Sequence, residues 1–401
     1  MAPAFRRGGE NATPLDPFSE LCRKVALLIS DDWLALSRCR PLLAVLKTLA
    51  HSLVVVTRSS GRLGEIEALG ARVVDFDFVA FASNPVRHAA AAWALARILE
   101  AESPDVVHLV AGRPIALGGL ALKLVAIPHV VVHAAGLGLA ARPDGWRQRL
   151  VRSATMRLFA SIVRRPSSYL LVENPDDLPL LRAAGIDPGP RFAILGGGGI
   201  DPQAFPPLPP PTNEVPVAAY IGRMVKSKGI DLVMDAYDRL ATRGGHLQLE
   251  LCGTCDGDAS DGVDAQAISS WCARRRARWR ARVDDVVDVW RHADFLVLPG
   301  RGGGALSRAL LEAAACARPL IVSDVPGSRH FVRQGVEGLI VPPADVGALA
   351  DAMQKLAADA EMRVRMGEAA RLRLLHGFTE AHVKSVLRAS YQAMFGHTES
   401  L

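Results

Sequence analysis

Aromatic residues are scarce in this chain of 401 residues: Phe, Tyr and Trp together make up 5%. Cysteine is scarce too, with six residues scattered at positions 22, 39, 252, 255, 272 and 316. That spread excludes a disulfide framework. Cys252-Gly-Thr-Cys255 has CxxC spacing, but no second pair or His pair completes a zinc site, so both read as small residues at a strand end and no metal site is expected. Reduced thiols fit a cytoplasmic protein. Long apolar runs are missing as well. The most apolar region, 115–141, is broken by Lys123, Pro128, His129 and His133, which excludes a transmembrane helix. The first twenty residues are polar with Pro and Gly; they show no signal peptide, and 1–22 reads as a disordered tail. Finally, the second half lacks net charge: residues 201–401 hold 24 basic and 24 acidic side chains, whereas residues 1–200 hold 23 basic and 17 acidic. The whole +6 excess therefore lies in the first half, which points to an anionic partner such as a lipid surface, a diphosphate or a nucleic acid.

What is present is a repeated alternation of β-branched runs and helical segments, too long for one core. From Lys24 the order is the strand KVALLIS, a helix 34–49, the strand SLVVVT, a short helix 61–69, the strand ARVVDF and an Ala-rich helix 85–102. Then come DVVHLV, a helix 115–126, HVVVHA, SYLLVEN and AILGGGG. This is the pattern of a parallel sheet covered by helices on both faces. Ligands of such sheets bind at the carboxyl ends of the strands, which places Asp31, Asp32, His108, Ala111, His133 and the turn Gly136-Leu-Gly138 on one rim. Seven prolines between Pro202 and Pro216 interrupt the rhythm and mark a linker at 206–216. A second alternation starts at Val217: VAAYIG, a helix 231–242, HLQLELCG, helices 264–276 and 284–292, and closing helices 345–358, 360–376 and 379–395. Two doubly wound domains facing across a cleft are the expected architecture, with 23–205 and 217–378 as domains and 379–401 crossing back to the first.

The most informative stretch is 295–343. A buried strand, Phe295–Leu298, runs into four glycines in five residues (Gly300 and Gly302–Gly304), then a helix expected over 305–317, then a strand 319–323. A strand, a Gly-rich loop and a helix N-terminus together present backbone N–H groups and a positive dipole end to a phosphate. Glu312 lies two turns into that helix. Arg223 and Lys228 follow the first strand of the second domain, where one loop offers two cations to two phosphates.

Two basic segments need separate readings. In 143–165, Trp146, Leu150, Ala154, Leu158 and Ile162 recur at helical spacing among six arginines. The pattern suits an amphipathic helix on an anionic membrane surface, and equally a surface helix whose stripe packs on the sheet. The run RRRARWRAR at 274–282 superficially resembles a nucleic-acid patch, but with the rest of this half electrically balanced it reads as a solvated helix end, and no nucleic-acid partner is expected.

GRMVKSKGID (222–231), GGGIDPQAF (197–205), the Gly-rich loop with Glu312, and GSRHFVRQGVEGLIVPPAD together resemble the family 4 retaining glycosyltransferases of GT-B fold. DDWLALSRCRPL, DVVHLVAGRPIALGGLALKL, AAGLG and ENPDDLPLL are similar to the bacterial surface-polysaccharide branch. The resemblance covers residues 24 to about 395. It implies that Arg223 and Lys228 act catalytically by neutralising the donor diphosphate, with Gly222 in the same loop. It also implies that Val283 lies near the base, that Glu312 receives the ribose hydroxyls, and that Gly304, Ala305 and the N–H groups of Leu306 and Ser307 meet the distal phosphate. His133, two residues before Ala135, takes the place of a catalytic first-domain His. A second Glu is normal for the family at position 304, where this chain has Gly. The implied reaction moves a hexose or N-acetylhexosamine from a UDP-sugar to a polyprenyl-diphosphate-linked acceptor, without cofactor or metal, at the inner face of the plasma membrane. Gly304 keeps open a second reading, a nucleotide-binding or scaffold paralogue that transfers nothing.

Overall fold

Apolar runs such as Val25–Ile29 are buried on both sides, as parallel sheets require. Alternate residues serve different cores: Ala26 and Leu28 pack with Val54 and Val56 on one face, and Val25, Leu27 and Ile29 with Val55 on the other. A computed structural model describes residues 21–78, 85–135, 146–255, 261–302 and 306–396; the tail expected at 1–22 lies almost wholly outside them. The first sheet contains β1 (Cys22–Asp31), β2 (Ala50–Arg58), β3 (Arg72–Asp75), β4 (Val106–Val110), β5 (His129–Ala134), β6 (Ser168–Val172) and β7 (Phe192–Ile194). The second contains β8 (Val217–Ile221), β9 (Gln248–Cys252), β10 (Ala277–Arg280), β11 (Phe295–Leu298), β12 (Leu320–Ser323) and β13 (Gly338–Val341). Their orders are β3-β2-β1-β4-β5-β6-β7 and β10-β9-β8-β11-β12-β13. Each order reverses once, between β1 and β4 and between β8 and β11, and crevices open at the carboxyl ends of such neighbours.

Several elements depart from the sequence reading. The helix expected over 34–49 is two, Asp32–Ser37 and Arg40–Leu49. Pro41 lacks an N–H and so starts a helix better than it continues one. The run 274–282 is not a solvated helix end: the helix stops at Ala273, and Ala277–Arg280 is the edge strand β10. Its period-two alternation packs Ala277 and Trp279 on the core, while Arg278 and Arg280 both reach the buried Glu250 carboxylate, at 3.1 and 3.2 Å. The helix expected from Ala305 begins at Arg308 and ends at Ala315. Strand β13 and the helix Pro326–Phe331 lie in a segment where no element was expected.

In the basic helix Trp146–Val163, the residues Phe159, Ala160, Ile162 and Val163 are buried in the first lobe's core. Gly119 lets the helix approach closely, since a Cβ there would fall 2.5 Å from Ile162 Cδ1. This end of the stripe is core, and Arg164 and Arg165 bind the carbonyls of Gly185 and Ile127. The Trp146 and Leu150 side chains lie outside the described residues. The linker is fastened to the second lobe: the buried Arg318 donates to the carbonyls of Trp290, Leu208 and Pro209.

The last helix, Glu380–Gly396, returns to the first lobe. Val383, Leu387, Tyr391 and Met394, at helical spacing, complete the core beside the Arg40–Leu49 helix. Tyr391 Oη lies 2.9 Å from His108 Nδ1, deep inside. Among the described residues the ring makes no other hydrogen bond, its Nε2 being unpartnered, and the His133 ring meets it edge-on with centroids 5.9 Å apart. Replacing Tyr391 by Phe is expected to destabilise the first lobe by about 1–3 kcal/mol, because a buried polar ring loses its partner. Denaturant unfolding of the variant checks this, and an unchanged midpoint would refute it.

Candidate active site

The loop after β8 is shaped by hydrogen bonds rather than by regular structure. Gly222 N–H donates to the Cys252 carbonyl and the Tyr220 hydroxyl to the Arg223 carbonyl, both at 2.9 Å. A short 3-10 turn, Lys226–Lys228, ends in Gly229 at φ 81. Ser227 N–H is held by the Asp261 carboxylate at 2.9 Å. Gly229 also brings two loops together: a Cβ at this position would lie 2.1 Å from the Pro299 carbonyl oxygen in the loop after β11. Arg301 fastens that loop to the first, its guanidinium on Asp231 at 2.5 and 2.7 Å and on the Lys226 carbonyl at 2.6 Å. The Arg223–Lys228 loop and the Gly-rich loop are therefore one structural unit at the reversal point of the second sheet.

Ser307 is the N-cap of the Arg308–Ala315 helix, and its side chain caps no N–H of that helix. Glu312 is 6% exposed, and burial pushes its carboxyl up while Arg308, 2.9 Å away, pulls it down. Arg308 donates in turn to the Ser37 carbonyl of the first lobe at 2.9 Å. Across the crevice, Arg38 Nη2 donates to the Leu306 carbonyl at 3.0 Å, and Arg329 pairs with Asp176 at 2.7 Å. These contacts bring the two lobes face to face at the strand ends.

The electrostatics show what converges there. Lys228 is open to solvent yet walled in, and its ammonium is lowered from its ordinary value by burial first, then by Arg38 and Arg223. Among the described residues no carboxylate pairs with it. His133, at the end of β5, is 7% exposed with neither ring nitrogen partnered. Burial, aided by Arg38, lowers it to about 4. Glu173, just past β6 on the same face as His133, is pushed up by burial and held down by Arg38 3.9 Å away. Asp177 rises to about 6 through burial and the neighbouring Glu173 and Asp176.

The structure thus brings Arg223, Lys228, Leu306 and Ser307 to one crevice, with Gly222 at its root and His133 on the facing wall. Val283 is half-buried after β10, at the same rim. Gly304, Ala305 and the turn Gly136-Leu-Gly138 lie outside the described residues. Other rim residues are occupied structurally. Asp31 caps Leu34, and the buried Asp32 holds Ser60 and Arg62 N–H groups. His108 sits under Tyr391. Cys252 is a buried thiol pushed up to about 12 by burial. Sequence reasoning missed Arg38, Glu173 and Arg308 as cleft residues, although all three fall within segments singled out for their resemblance.

Two family descriptions match adjoining parts of the chain: a "Glycosyl transferase 4-like domain" over residues 37–197 and "Glycosyl transferases group 1" over 215–359. The chain belongs to the family 4 type of glycosyltransferases. The glycosyltransferase is 25% identical over 187 residues to the capsular polysaccharide biosynthesis glycosyltransferase CapM of Staphylococcus aureus, a match spanning 47% of this chain and 48% of that protein. It is 21% identical to the N,N'-diacetylbacillosaminyl-diphospho-undecaprenol alpha-1,3-N-acetylgalactosaminyltransferase of Campylobacter jejuni, over 82% of this chain and 88% of that one. In fold it resembles Anabaena HepE in complex with UDP, with a TM-score of 0.75, 14% identity, and coverage of 93% of this chain and 100% of that one. The fold is GT-B.

Gly229→Ala is expected to lower thermal stability clearly more than Gly244→Ala. Both need positive φ (81 and 78), but only Gly229 is pressed against backbone, and nothing lies within 4 Å of a Cβ at Gly244. The open site is expected to lose about 1–2 kcal/mol; equal shifts in the two melting curves would contradict the loop contact. The His133 ring is expected to stay neutral down to about pH 5. Its folded value, about 4, lies below the ordinary 6.5, so its share of stability is complete above 6.5 and lost as pH falls toward 4. An NMR titration, with the signal assigned by His133→Gln, checks this; an inflection near 6.5 would count against the buried geometry.

Proposed function

We propose that this glycosyltransferase moves a hexose or N-acetylhexosamine from a UDP-sugar, with retention, to a polyprenyl-diphosphate-linked saccharide in surface-polysaccharide assembly. The observation that carries this reading is the joining of the Arg223–Lys228 loop to the Gly-rich loop opposite the first lobe's polar rim. As the bond from the sugar carbon to the donor phosphate oxygen breaks, its electron pair leaves with the diphosphate. Arg223, Lys228 and the N–H groups at Leu306 and Ser307 meet that charge. The acceptor hydroxyl adds on the same face and its proton passes to the departing phosphate oxygen. Closed lobes keep water from competing. Glu312 takes the ribose once Arg308 shares it, Val283 borders the base, and His133 offers a neutral ring to the sugar. No cofactor takes part in this reading.

Support for the donor is the UDP named in the HepE complex. The diphospho-undecaprenol and N-acetylgalactosaminyl parts of the Campylobacter relative's name support the acceptor and the sugar class. A peripheral position on an anionic membrane follows from such an acceptor and from the first half's excess of basic over acidic residues, 23 against 17. Among the described residues no helix is long and apolar enough to cross a membrane. The second reading, a paralogue that binds nucleotide without transfer, rests on Gly304.

The test is transfer from a panel of UDP- and GDP-sugars to lipid-linked acceptor in anionic vesicles. Arg223→Ala is expected to slow turnover about 100-fold or more. Arg274→Ala, at an exposed helix end where Arg274 binds the Ser270 carbonyl, is expected to stay within about twofold. Comparable losses would contradict the assignment. Binding of UDP without any transfer, with transfer gained in Gly304→Glu, would favour the second reading. Failure of the protein to float with the vesicles at low salt would remove the membrane part.

A further inference from the structure

We propose that Arg38, from the first lobe, is a third cation on the donor diphosphate, so that the anion is gripped from both sides of the cleft. The inference rests on the nucleotide-diphosphate reading above and adds a ligand from the opposite domain.

Arg38 occupies the break between the Asp32–Ser37 and Arg40–Leu49 helices, at the carboxyl end of β1 where the first sheet reverses. Its backbone is fixed on both sides. Asp31 caps the preceding helix at 2.8 Å, and Gly198 packs so closely that a Cβ there would lie 2.7 Å from the Arg38 carbonyl oxygen. The backbone that carries the guanidinium is thus fixed at the edge of the crevice.

Its charge is poorly spent within the protein. Among the described residues it makes one side-chain hydrogen bond, from Nη2 to the Leu306 carbonyl at 3.0 Å. Its carboxylate neighbour, Glu173, stands 3.9 Å off, beyond hydrogen-bond range. Five N–H donors in a planar fork leave most of their capacity unused. The other arginines that cross the cleft differ. Arg329 pairs with both Asp176 and Asp324, and Arg308 with Glu312 and the Ser37 carbonyl. Those two are straps; Arg38 is poised for a ligand.

Its place also fits a phosphate. The carbonyl it holds belongs to the residue before Ser307, the N-cap of the Arg308–Ala315 helix, and Arg308 in the first turn of that helix reaches the Ser37 carbonyl across the cleft. Lys228 and Arg223 stand close enough that Arg38 helps depress the lysine. Two cations from one loop and a third from the facing lobe make a positive concavity. An anion carrying two or more charges relieves it, and a guanidinium binds phosphate oxygens in pairs.

The test is calorimetry on the full chain with UDP, GDP, inorganic pyrophosphate and uridine. Arg38→Ala is expected to weaken UDP and pyrophosphate about 10- to 100-fold and to leave uridine unchanged. Arg38→Lys, which keeps the charge but loses the paired hydrogen bonds, is expected to recover only part of that loss. Arg329→Ala, which removes a strap outside the cation cluster, is expected to stay within about twofold. If Arg38→Ala stays within twofold while Arg223→Ala loses affinity, the proposal fails and the donor reading stands. If Arg38→Ala weakens uridine as much as UDP, Arg38 is a strap and the proposal fails. If the wild-type protein binds neither UDP, GDP nor pyrophosphate, the donor reading fails and takes this one with it.

Discussion

Positive charges gathered in a walled crevice raise one another's energy, and an anion relieves them. Lys228 registers that repulsion directly, since burial and two guanidiniums push its ammonium toward neutrality. The second lobe is arranged to hold these charges in place despite it. Tyr220 ties down the Arg223 carbonyl, Asp261 holds Ser227, and Arg301 locks the two loops together through Asp231. Gly229 is indispensable here because no side chain fits between its backbone and Pro299.

The facing wall is built on the opposite principle. His108 and His133 are held uncharged by burial, and the carboxyls of Glu173 and Asp177 are pushed up by it. Arg38 is the cation that this rim turns toward Lys228. One wall of the crevice is therefore set by cations and the other by buried polar groups whose charged forms burial disfavours. Local backbone strain marks the same rim. Ala111, which donates its N–H to the His133 carbonyl, sits at φ 66 and ψ 175, a region that costs a non-glycine residue about 1–3 kcal/mol.

Most of the architecture is legible in the sequence because both-faces-buried strands read as plain apolar runs, and helix caps such as Asp264, Asp285, Asp345 and Asp359 stand where they act. The misreadings have local causes. β10 hides because four of the five residues Arg274–Arg278 are basic, and basic runs usually mean solvated surface; only its period-two alternation betrays it. The long first helix breaks because one proline outweighs the apolar spacing around it. The cation loop was readable because Arg223, Lys228 and Gly229 are neighbours in the chain. Arg38 and Glu173 were not, since their meaning depends on partners up to 268 residues away, such as the Leu306 carbonyl. Nothing in local pattern records such a meeting.

The return of the Glu380–Gly396 helix to the first lobe has a consequence for how the molecule is made. The lobe synthesised first lacks part of its interior until residues near Met394 leave the ribosome, because Val383, Leu387, Tyr391 and Met394 fill it. Until then His108 has no hydroxyl partner and the apolar side of the Arg40–Leu49 helix stays uncovered. The second lobe is free to close on its own sheet, while the first waits, exposed to aggregation, for the Glu380–Gly396 helix.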